Sequence, residues 1–181
     1  MPGSGFYDAG PLKQLAVNLF YGWGYNFYRK ENQLRTDDLL VRSKVSWLLS
    51  MARAAIEAAE GEYRREYIPA PSRANPRPPG DALRNAQTME RLAKEVGGLI
   101  SQIDQQPVPE NDFILQRFRN EAHTLERLLN CDHQLVAQAE LFRSKLAGRD
   151  GEWILTNLLP VHEGIQAIRE SLGARQNILL I

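Results

Sequence analysis

The sequence predicts an all-α fold, a four- to five-helix, mainly antiparallel bundle with a proline-rich inter-helix loop, formed as one helical domain over residues 1–181. Three observations predict it. Apolar residues recur at spacings of three and four along long stretches, prolines and capping residues separate those stretches, and no strand-like alternation or paired-turn signature competes. No repeat of 20 to 50 residues is apparent. A composition of 43% hydrophobic and 24% charged residues is ordinary for a globular chain and too apolar for a disordered one.

Pro11 opens a first helix over residues 11–33, because a missing N–H costs nothing at a first helical position, and Leu12, Leu15, Leu19, Trp23 and Phe27 then form one stripe. Gly22 and Gly24 weaken that helix by roughly 1 kcal/mol each relative to alanine. Thr36 is read as the cap of a second helix, 37–67, with Asp37 and Asp38 placed to complement the positive end of its dipole. This helix carries two neighbouring apolar stripes, Val41, Val45, Leu48, Ala55 and Ala59 beside Leu40, Trp47, Met51, Ala54 and Ala58. The expectation is a wide buried face in the middle of the bundle. Pro69, Pro71, Pro76, Pro78, Pro79 and Gly80 make 69–80 a stiff exposed connection. Its run from Ser72 to Gly80 resembles extended ligands that dock in aromatic grooves, but a spacer is the reading preferred.

Asp81 is read as the cap of a third helix, 82–104, whose stripe is Leu83, Ala86, Met89, Ala93, Val96, Ile100 and Ile103, ended by Pro107 and Pro109. A fourth helical region, 112–147, carries Leu115, Phe118, Ala122, Leu125 and Leu129. Continuing that stripe meets Asp132, so a shift of face or a break near Asn130 is expected. Gly148 closes this element, and Asp150 caps a fifth helix, 151–172, with Trp153, Ile154, Leu158, Val161, Ile165, Ile168 and Leu172. Pro160 is expected to bend it and Gly173 to stop it. The apolar tail 174–181 ends in Ile178, Leu179, Leu180 and Ile181, which must dock on the body or meet a partner.

Charge gives no steer toward a polyanion, because 22 basic residues offset 22 acidic ones. Nucleic acid is therefore not an expected partner, although Arg29, Lys30, Arg35, Arg42 and Lys44 form a local basic group diluted by Glu31, Asp37 and Asp38. Cys131 is the sole cysteine, which excludes an intramolecular disulfide and thiol-rich zinc sites and suits a reducing compartment. Met1 to Gly10 lacks the pattern of a secretory signal, and the apolar run 15–28 is interrupted by Asn18, Gly22, Gly24 and Asn26. The expectation is a soluble, cytoplasmic protein with no membrane span.

The most unusual segment is residues 18–30, where Phe20, Tyr21, Trp23, Tyr25, Phe27 and Tyr28 crowd together. A helix cannot bury them all on one stripe, and the tyrosines need partners for their hydroxyls, as at an interface. Tyr21, Trp23, Tyr25 and Tyr28, with the tail Ile178 to Ile181, are accordingly the candidate partner-binding residues. Metal and cofactor chemistry is not expected. His123, His133 and His162 are the only histidines, and the His123–Glu126 pair, with Glu121 or His162 in reserve, is explained equally by a surface hydrogen bond. Cys131, Asp132 and His133 sit at adjacent helical positions that diverge by about 100° each, which a nucleophile and its base cannot use.

One run carries a family resemblance. Arg117-Phe-Arg-Asn-Glu-Ala-His123 resembles the Arg-x(4–6)-His pattern of the HEPN family of helical ribonucleases and nucleotide-binding domains, over those seven residues and nothing else. The resemblance implies that Arg117 stabilises phosphate charge, that His123 transfers a proton, and that two copies meet at a dimer interface. Against that alternative, the primary expectation is a noncatalytic helical interaction, assembly or regulatory factor whose partner is another protein or a second copy of itself.

Overall fold

The computed structural model describes residues 33–73, 77–106 and 122–180. Among them are five helices and no strand: α1 (Gln33–Tyr67), α2 (Gly80–Asp104), α3 (Ala122–Leu146), the single turn-and-a-half α4 (Gly151–Thr156) and α5 (Leu158–Leu180). The expected first helix, 11–33, lies outside the described residues except at its last position.

Helix α1 is the hub, packing on α2 along one flank, on α3 along the other and on α4 near its end. α1 and α2 run antiparallel, since Ser46 Oγ donates to Asp104 at 2.9 Å while Asn85 Nδ2 donates to the Tyr63 hydroxyl at 2.9 Å. α3 and α5 are antiparallel too, joined by Arg175 to Asp132 and, lower down, by Ser171 to Gln138. Between them Val45, Leu48, Leu49, Ile56, Met89, Leu92, Val96, Leu99, Leu135, Val136, Phe142 and Ile168 close one core. Apolar burial of this kind is the main term favouring the folded chain.

Local signals explain most boundaries. Asp150 caps α4, its side chain accepting from the Trp153 amide at 2.7 Å, and Gly148 takes the left-handed φ of 67° that turns the chain out of α3. The described residues of the 69–80 connection are exposed. Other boundaries depart from expectation for identifiable reasons. α1 starts at Gln33, so Thr36 lies inside the helix, and Asp38 turns inward to pair with arginines. Pro79 holds the cap position of α2, which leaves Asp81 within the first turn, exposed and paired with Arg84. α3 runs unbroken through Asn130 and Asp132, because Asp132 has a buried cation to meet. The expected helix over 151–172 is divided at Asn157, where Pro160 cannot donate to the Thr156 carbonyl four residues back and its ring would strike it. Gly173 does not end α5. A Cβ there would meet nothing within 4 Å, and the helix continues so that Arg175 and Ile178 turn inward.

The α1–α4 junction depends on a glycine. A Cβ at Gly151 would lie 3.0 Å from Tyr63 Cβ and Cδ2, and the Tyr63 ring cannot retreat, being stacked on Tyr67 at 4.5 Å and tied to Asn85. Gly151→Ala should therefore destabilise the fold by about 1–3 kcal/mol through overpacking. Gly61→Ala, in open space on α1, should instead stabilise by about 0.5–1 kcal/mol, with both changes read from urea midpoints.

Tyr67 closes the same junction by donating to Glu152 Oε1 at 2.5 Å. That hydrogen bond to a carboxylate, with smaller help from burial and the neighbouring negative charges, pushes the phenol up to about 12. Because the folded value is raised, the phenol's contribution is complete below the ordinary value of 10.0 and is lost as pH rises through about 12. Absorbance titration should show a late-ionising phenolate that Glu152→Gln returns to the ordinary range.

Candidate interaction face and the ions behind it

Successive helical residues turn by about 100°, so positions seven apart drift only about 20° and stay on one line. On α1 that arithmetic separates two faces. Val41, Val45, Leu48, Ala52, Ile56 and Ala59 point into the core and are 0–2% exposed. Leu40, Trp47, Met51, Ala54 and Ala58 point outward. Leu40 is 38% exposed, Trp47 49%, Met51 41% and the adjoining Leu39 50%. The sequence expectation that both stripes are buried is thus corrected: α2 and α3 take the two flanks of α1, and no described element covers the far side. Gly61 extends this outer line toward the carboxy end.

The outer face is apolar in a way scattered surface hydrophobes are not. Leu40, Trp47 and Met51 give it bulk at the amino-terminal end, and Ala54, Ala58 and Gly61 make it nearly flat at the other. The Lys44 ammonium sits 4.3 Å from the centre of the Trp47 ring, a cation–π contact that holds the indole against the helix edge. Burial lowers the proton affinity of Lys44 below the usual lysine value, and Glu140 pulls the other way.

Behind this face lies a buried ionic cluster. The Arg175 guanidinium, 1% exposed, donates to Asp132 Oδ1 at 2.6 Å, to Asp38 Oδ1 at 2.5 Å and to Gln106 Oε1 at 3.2 Å. Arg42 pairs with Asp38 Oδ2 at 3.1 Å and donates to the Gln106 carbonyl at 2.7 Å. Among the described residues, two cations and two anions from α1, α3 and α5, joined by Gln106 two positions past the end of α2, balance in charge. Burial opposes the Arg175 charge, yet Asp132 and Asp38 outweigh it and hold its proton more tightly than in water. Perturbed charges in a protein interior are one mark of catalysis, but these groups pair with each other, Asp38 Oδ2 and Arg42 Nε by charge alone without a hydrogen bond, which is the pattern of a structural lock. It also removes Arg42 from the basic group noted in the sequence, and Lys44 is buried as well.

The remaining candidates fall as follows. Tyr21, Trp23, Tyr25, Tyr28, Arg117 and Ile181 lie outside the described residues. His123 is placed by its backbone in the first turn of α3, and Leu179 and Leu180 by theirs at the end of α5. Ile178 docks on the body and is 8% exposed. His162 is on the surface, 3.5 Å from Glu95, and His133 is buried. Among the described residues no cluster of three or more His, Cys, Asp or Glu side chains is arranged to hold a metal ion, and no helix is long and apolar enough to cross a membrane. Sequence reasoning missed Asp132 and Arg175. The interruption of an apolar stripe by a lone acid was the available signal.

Set against protein-family models, curated proteins and solved structures, the chain matches none.

Replacing Arg175 by methionine removes the cation that Asp132 and Asp38 share in the protein interior, with Arg42 still paired to Asp38. The expected cost is about 3–5 kcal/mol, the range for breaking a buried pair from one side. Asp132→Asn combined with Arg175→Met should recover part of that loss, and urea unfolding of the two variants separates lost packing from stranded charge.

Proposed function

We propose that this chain is a noncatalytic helical interaction protein of the cytoplasm, binding a protein partner through the outer face of α1. The observation that carries the reading is the row Leu40, Trp47 and Met51 with Leu39 beside it, large apolar side chains 38–50% exposed on one helix. Single exposed apolar residues are ordinary, whereas a contiguous row rimmed by polar positions is how binding faces are built. Ser43, Ser50 and Glu57 supply that rim. Tryptophan and methionine at its centre suit recognition, the indole for its large rigid area and the thioether for its adaptability. The aromatic residues Tyr21, Trp23, Tyr25 and Tyr28 precede α1 in the chain and extend the same reading toward its amino end. The ribonuclease alternative stands on Arg117 and His123 alone, whereas the interaction reading also has a described surface.

The test is affinity capture from the native host with wild type and with Trp47→Ser/Met51→Ser. Both positions are exposed, so the variant should keep the wild-type circular dichroism spectrum while losing the captured partner. Equal recovery by the two proteins would reject the face.

A further inference from the structure

We draw no further inference here: the strongest candidate, the exposed apolar face of α1 around Leu40, Trp47 and Met51, belongs to the reading already proposed, and nothing among the described residues shows what covers it.

Discussion

The constraint on which the bundle depends is the charge of Arg175. Moving an ion of this kind from water to a protein interior costs several kcal/mol even after relaxation, and that cost is offset only where oxygen atoms are already placed to receive every donor. Asp132 on α3, Asp38 on α1 and Gln106 just after α2 have to arrive together. Apolar side chains tolerate a helix sliding by a fraction of a turn, because one methyl replaces another. A guanidinium held at 2.5 and 2.6 Å does not. The cluster therefore sets the depth of α5 against α3 and aligns both with the amino-terminal part of α1. Ser171 bonding Gln138 at 2.8 Å, one turn earlier on α5, repeats the same alignment.

At its far end α1 is fixed by different means. Tyr63 and Tyr67 stack, the first tied to Asn85 and the second to Glu152, and Gly151 lets α4 come within contact of the rings. α1 is thus clamped by ions near residue 38 and by aromatics near residue 67, with apolar packing between. A rod held at both ends presents its outer side chains in one fixed row. Side chains on a supported helix need little further ordering for any contact made along that row.

Local chemistry was legible in the sequence and long-range chemistry was not. Asp150 reads correctly as a cap because its partner, the Trp153 amide, is three residues away. Most of the stripes of α2 and α5 read correctly because periodicity is also local, although Leu83 and Ile100 are half-buried while Leu92 and Leu99, left out of the expected stripe, fill the core. Arg175 and Asp132 are separated by 43 residues, and Arg175 and Asp38 by 137, so nothing near either residue announces the pairing. The same blindness made Gly173 look like a stop, because the charged residue after it gave no sign of an inward role. The two stripes of α1 show a further limit. Periodicity detects an apolar face and cannot say whether its cover comes from the same chain or another, since both kinds of burial ask for the same residues.

The exposed stripe differs from the buried one in what it does for the isolated chain. Val45, Leu48 and Ile56 gain their burial when the chain folds, whatever else is in solution. Trp47 and Met51 leave nearly half of their surface in water, so much of the stabilisation they can give arises only when something covers them. Folding does not require bulk there, as Ser43 and Ser50 on the same side show. Nor does helix formation, because lysine, glutamate or alanine would serve α1 better than tryptophan. The part of Trp47 and Met51 that stays in water adds nothing to the fold, and its burial would be favourable wherever another surface covered it.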